Sequence, residues 1–241
     1  DGVALFENTD VLPDWARDTV HLPEELPADL LTVAAPADTT RVRVRAMEMY
    51  NGYFKREFTA SLPVVDGQVA SDPSQDVLKI AVVDRHHGEA LAGHGFVKGF
   101  GLSRGAIAIT MNCPNMNIAV VGADDDDMRL AVAELGRMGG GFVTVADGEV
   151  LARVALPVGG MMSDAPFEET AAALAAGHAA THELGCTIAS PYIILSFVGL
   201  YVVPDLGLTE LGLIDAATQQ FVDVLVPGPV DACGHDPEEH A

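Results

Sequence analysis

Four short polar clusters hold most of the side chains in this chain that could do chemistry. Asp84-Arg85-His86-His87-Gly88 follows an apolar run from Val77 to Val83 and precedes Gly93-His94-Gly95. An imidazole can ligate a metal, move a proton or orient a neighbour. Sheet proteins place ligand contacts where strands end in glycine-rich exits. Adjacent histidines on a strand point to opposite faces, so His86 and His87 would not share one metal unless the chain turns there. Contact with a substrate and plain hydrogen bonding within the fold both suit the pattern.

The second cluster, Phe96-Val97-Lys98-Gly99-Phe100-Gly101-Leu102, contains one of the three lysines, Lys55, Lys79 and Lys98. Lys98 could set a point charge against a carboxylate or ligand, or form a surface ion pair. The third, Met111-Asn112-Cys113-Pro114-Asn115-Met116-Asn117, carries three amides able to read hydrogen-bonding edges. Cys113 has no basic neighbour in sequence and reads as a small apolar side chain, not a nucleophile. In the fourth, Gly159 to Asp164, Ser163 and Asp164 suit the cap of a following helix. There is no Gly-x-Ser-x-Gly elbow, phosphate-binding Gly-Lys-Ser/Thr loop or His-x-His pair.

The elements that must position these clusters are mostly strands. Arg41 to Arg45 alternates polar and apolar, and Asp66-Gly67 marks a turn between Thr59–Val65 and Gln68-Val69. Short strands are expected over Val77 to Asp84, Gly95 to Phe100, Ala106 to Thr110 and Asn117 to Val121. The run Asp124 to Asp127 precedes an amphipathic helix, Met128 to Leu135, whose free N–H groups and dipole favour carboxylates; it lacks the spaced ligands of a calcium loop. A second hairpin follows, Phe142–Val145 and Val150–Leu156 around Asp147-Gly148. Pro166 to Leu184 carries the strongest helix signals, Pro191 to Val203 reads as a buried helix becoming extended, and Gln219 to Val226 reads as a closing strand. The expected class is α/β (α+β): a mixed β-sheet with packed helices, preceded by part of a small β-domain. Residues 1–65 would be that remnant and a linker, 66–226 the α/β domain, and 227–241 a disordered acidic tail.

Composition narrows the partners. With 35 Asp plus Glu against 13 Lys plus Arg, the net charge is −22. Nucleic acid and anionic membrane both demand a basic patch, so neither is expected. An acidic, lysine-poor surface suits a cytoplasm of very high salt, where screening reaches ~3 Å at 1 M. Apolar runs are interrupted well short of the ~20 residues that span a bilayer. Three widely spaced cysteines, Cys113, Cys186 and Cys233, indicate neither a disulfide framework nor a zinc site, and point to a reducing cytoplasm. The start at Asp1 has neither an initiator Met nor a signal-peptide pattern and reads as a cut.

The same segments resemble the C-terminal domain of microbial adenine deaminases. The matching residues are Ala81 to Gly88, Gly95 to Leu102 with Arg104 to Ala108, Asn117 to Gly122, Met138 to Gly141, Met162-Ser163-Asp164 and Leu195-Ser196-Phe197, in order and at the same spacing from about Pro13 to Val226. The resemblance implies an amidohydrolase that converts adenine and water to hypoxanthine and ammonia. Its metal-bearing (β/α)₈ barrel would lie outside this chain, in cis or as a separate subunit. It also implies a divalent metal (manganese, iron or zinc) in that barrel with no cofactor in this chain, a purine substrate, and a homo-oligomer. Arg85, His86, His87, Lys98, Asn117, Ser163 and Asp164 become the candidate pocket residues, and His86, His87, Lys98 and Asn117 are expected to converge on one concave surface. One departure stands out: where the family usually has His-Asp-Ser-His-Asn, this chain has Cys113-Pro114-Asn115-Met116-Asn117. That leaves a non-catalytic binding or assembly domain, or a divergent paralogue, as the alternative reading.

Overall fold

The computed structural model describes residues 12–52 and 54–228. Most of the tail from 227 to 241 therefore lies outside the described residues, as does Cys233. The chain builds one nine-stranded sheet from β1 (Arg41–Asn51), β2 (Phe54–Val65), β3 (Gln68–Val69), β4 (Val77–Val83), β5 (Ala92–Lys98), β6 (Ala106–Asn112), β7 (Asn117–Gly122), β8 (Gly141–Ala146) and β9 (Glu149–Ala155). Their spatial order is β3-β2-β1-β5-β4-β7-β6-β8-β9. All neighbours are antiparallel except β1 and β5, which run parallel and meet over two register pairs, Met47↔Val97 and Glu48↔Lys98. The mixed sheet with a few helices is the α+β class expected from the sequence.

The central strands are apolar without alternation because both faces of the sheet are covered. On one face Ala81, Val83, Ala108, Val120 and Val143 pack under α1 (Asp125–Met138), joined by Leu30 and Leu31 of the N-terminal segment. On the other, Ile80, Val82, Ile107, Ile109 and Val121 pack under α3 (Pro191–Leu195) and the small sheet β10 (Leu206–Thr209), β11 (Gly212–Asp215) and β12 (Gln220–Val222). α2 (Phe167–Glu183) lies on that second face over β8 and β9. The β1–β2 end has its own cluster, in which Val42, Val44 and Ala46 point inward while Arg41 and Arg43 face outward, the alternation visible in the sequence.

The acidic run behaves as a helix start. Asp124 is the N-cap of α1 and accepts from the Asp127 N–H at 3.0 Å. Asp127 in turn accepts from the Asp147 and Gly148 N–H groups at 3.0 and 2.8 Å, fixing the β8–β9 turn. The expected cap of α2 is different. Its N-cap is Pro166, with no side-chain cap bond; Ser163 instead accepts from the Ala165 N–H and the Thr170 hydroxyl, and Asp164 pairs with Arg17. Proline at the boundary sets the entry, so Ser163 and Asp164 stand three and two residues before the N-cap, too early to meet free helical N–H groups. The closing strand is shortened to β12, after which Val224 and Val226 hydrogen-bond to β1 through Arg45 and Arg43.

Two of the three lysines are buried. Lys79 pairs with Asp125 at 2.5 Å. Lys55 sends its ammonium to the carbonyls of Phe197, Val198 and Leu200 at 3.3, 3.4 and 2.7 Å, just past α3, and burial pushes its pKa down to about 7.

Candidate site at the exit of the central strand

At the C-terminal end of β4 the chain turns sharply and Arg85 dives into the protein, 2% exposed. Its guanidinium donates to the Met116 carbonyl through Nε, to the Thr19 carbonyl at 3.0 Å and hydroxyl at 3.2 Å through Nη1, and to the Gly159 carbonyl at 3.0 Å through Nη2. A planar fork of five donors is suited to such convergent acceptors. Burial away from water lowers the Arg85 pKa, yet the group stays cationic. Gly160 is what admits it: a Cβ there would stand 2.5 Å from Nη1. One side chain thus fastens together the N-terminal segment, the loop before β7 and the loop after β9.

Asn117, at the start of β7, continues the network. Its Oδ1 accepts from the Arg85 N–H at 3.2 Å and its Nδ2 donates to Glu210 Oε2 at 2.9 Å. Asn115 donates to the same carboxylate oxygen at 2.6 Å. Glu210 lies in the β10–β11 turn, so an anion from the small sheet sets the orientation of both amides. No sequence motif pointed to Glu210; only the pairing of distant loops does.

The two histidines are held in different ways. His86 Nε2 meets the Asn115 carbonyl at 3.1 Å. A carbonyl can only accept, so Nε2 carries the proton and Nδ1 of the neutral ring is the free acceptor. His87 Nδ1 lies 3.0 Å from the Asp84 carboxylate, so its proton is on Nδ1 and Nε2 is the acceptor. The side chain of His87 is 78% exposed while that of Asp84 is 6% exposed. Burial alone would raise the Asp84 pKa. The His87 N–H, the His87 ring and the His86 N–H outweigh it and hold the carboxyl below its usual value. The rings sit edge to face, 6.4 Å between centroids. The result is a partly exposed rim with two imidazole acceptors and the Asn115 amide, and with Asn117 and the Arg85 cation buried behind them.

Lys98 is not part of this rim. Antiparallel register pairs it with Val77, the opposite end of β4 from Arg85, so about 20 Å of strand separates them. Its partner is Glu48 at 3.9 Å, with the Phe58 ring beneath the ammonium. Lys98 therefore drops out of the expected four-residue surface, because strands adjacent in sequence need not end at the same edge, and Asn117, 2% exposed with both ends of its amide bonded, lies behind His86 and His87 and does not line it with them. His94 is also elsewhere, donating from Nε2 to the Leu30 carbonyl inside β5. Ser163 and Asp164 lie beyond the Gly159–Gly160 loop that Arg85 touches, tied to Arg17 and Thr170. Among the described residues no three His, Cys, Asp or Glu side chains are grouped to hold a metal ion.

The rim is built by the segments that also match known proteins. The family described as adenine deaminase C-terminal domain matches residues 53–220. The chain belongs to that family. It is 45% identical to the adenine deaminase of Moorella thermoacetica over 214 residues, covering 88% of this chain and 36% of that protein. To the adenine deaminase of Clostridium botulinum it is 39% identical over 217 residues, covering 89% of this chain and 36% of the relative. To that of Gluconobacter oxydans it is 39% identical over 220 residues, covering 91% and 38%. The chain thus spans a little over a third of the length of these relatives. The Cys113 to Met116 segment falls on the rim itself, since the Asn115 and Met116 carbonyls receive His86 and Arg85.

Proposed function

We propose that this chain is the C-terminal part of an adenine deaminase and that its β4-exit rim forms one wall of the purine pocket. The observation that carries the reading is the match over nearly the whole chain to curated adenine deaminases. In this reading a (β/α)₈ barrel, in cis or as a separate subunit, holds a divalent metal (manganese, iron or zinc) that activates water. The described residues of this chain offer no donor set that fits such a metal. This chain's own contribution is recognition. Exposed His87 Nε2 and His86 Nδ1 accept hydrogen bonds, while Arg85, Asn115, Asn117 and Glu210 keep the rim in register; a purine edge of donors and acceptors needs such fixed partners.

We also propose, on composition, a cytoplasmic and salt-adapted protein. The net charge of −22 supports salt adaptation, as does the burial of Lys55 and Lys79, which leaves Lys98 as the one lysine among the described residues not buried. The narrow β1–β5 junction supports reading residues up to about 65 as part of a small β-domain, and the family relationship supports a homo-oligomer. The test is direct. Purified full-length protein supplied with manganese, iron or zinc should release hypoxanthine and ammonia from adenine in equal amounts. Neither product with any of the three metals overturns the activity. Unchanged kcat/KM in His87→Ala and Asn117→Ala removes the pocket wall while leaving the activity standing.

A second reading has one observation behind it: Cys113 and Met116 stand where the resemblance implies imidazoles, on the same rim. A related purine or purine analogue turned over faster than adenine would favour this divergent form.

A further inference from the structure

α2 is exposed in a way that its sequence does not suit. Its charged residues, Glu168, Glu169 and Glu183, stand at its two ends, and its middle is almost wholly alanine. Only Gly177 and Thr181 are buried, while Ala171, Ala172, Ala175, Ala176 and Ala179 face outward. At 1.5 Å per residue the helix runs about 25 Å. A helix that is apolar all round is ordinarily covered on all sides. In a chain whose residues are 20% charged, so long an uncharged face is out of place.

The face does not stand alone. At its start Phe167 is 80% exposed, and the loop before it exposes Met162 at 57% and Met161 at 39%. That loop is bound to the N-terminal turn, through the Gly159 N–H to the Ala16 carbonyl at 2.6 Å and Asp164 to Arg17, and the turn exposes Trp15 at 76%. Exposed aromatics and methionines beside an apolar helix face have the composition of an interface core. The same N-terminal segment carries Thr19, which receives Arg85, so the patch and the candidate rim are tied to one segment.

We infer that the outer face of α2, with Phe167, Met162 and Trp15, is where the larger remaining part of the deaminase docks. The occupant follows from length and order. The matched relatives are almost three times as long as the stretch this chain covers, 36% in the Moorella protein. The matched domain is by its description the C-terminal one, so in those relatives the remaining length precedes it. Docking there sets the partner surface against His86 and His87. A second copy of this chain is the competing occupant. The inference rests on reading the chain as part of a larger deaminase.

Hydroxyl-radical footprinting of the wild-type full-length protein tests it. Oxidation of Phe167, Met162 and Trp15 should fall to the level of fully buried Phe96, and Ala175→Glu should restore it. Oxidation of Phe167 in proportion to its exposure in this domain overturns the inference. Protection that disappears on dilution of the protein also overturns it, in favour of a second copy. Deaminase activity is measured on the same wild-type sample. Protection without activity would sink the functional reading and keep the surface; activity with Phe167 oxidised would do the reverse.

Discussion

α1 and α2 cover opposite faces of one sheet and are finished differently. α1 has six charged residues in fourteen, Asp125, Asp126, Asp127, Arg129, Glu134 and Arg137, and each has a bonded partner. Its outer side faces a groove of about 730 Å³ under Val20, Leu22 and Leu26, rimmed by Glu24, Asp126 and Arg137. α2 is anchored by packing and by one buried hydroxyl cluster, in which Thr144 lies 2.9 Å from Thr181 and 2.5 Å from the Tyr192 hydroxyl. The helix completed within the chain spends charge on its exposed side, whereas the other leaves that side bare. The difference teaches that the chemistry of a helix's outer side does not follow from what the helix touches within this domain.

Substitutions can break that contrast, and the largest effect is expected on the charged helix. Asp127→Ala strips two backbone N–H groups in the β8–β9 turn of a charged acceptor and should cost about 2–3 kcal/mol; chemical denaturation of the chain reads this, and a loss below that of a surface substitution would mean α1 is held by packing alone. On α2 the corresponding weak point is steric. Gly177→Ala places a Cβ 2.7 Å from the Tyr192 hydroxyl, and overpacking should outweigh the helix-propensity gain of ~1 kcal/mol to leave a net loss of about 1–2 kcal/mol. A stabilised variant would show that Tyr192 moves freely.

The third contrast is pH. Burial alone would raise the Glu134 pKa, but Arg153 and Arg137 bond to its carboxylate and hold it below the usual value. A depressed folded pKa contributes stability above the unfolded value that is lost as pH falls through the folded one. Glu134→Gln should therefore cost about 1 kcal/mol at pH 7, and the difference from wild type should vanish in acid. A difference that persists at low pH would assign the effect to packing. The smallest effect is Ala175→Glu in the 241-residue chain alone, expected within ~0.5 kcal/mol because the site is exposed there. Any large loss would mean that α2 is already covered.

The strands were legible where burial on both faces left continuous apolar runs, as in Ile80 to Val83 and Ile118 to Val121. The Asp124 cap was legible because its physics is local. What could not be read was which strand ends share an edge. Lys98 looked like a neighbour of His86 by order along the chain, yet antiparallel pairing carries it to the far side of β4. Glu210 was invisible for the same reason: nothing near it in sequence shows that Asn115 and Asn117 will seek it. Asp164 failed as a cap through a two-residue error at a proline, which local signals seldom resolve.

Lys55 has a use as a clock. Burial holds its pKa near 7 and seals the amine behind three carbonyls with 2% of its surface open, so a reagent meets it only after an opening that also returns it to ordinary lysine basicity. An acylating reagent in excess would modify Lys98 at once and reach Lys55 only when β2 parts from the turn after α3. With three lysines in the chain, each tagged peptide is easily assigned. The rate of Lys55 acylation would then count openings of that junction one molecule at a time, and its dependence on salt would report how often a crowded negative surface pulls the fold apart.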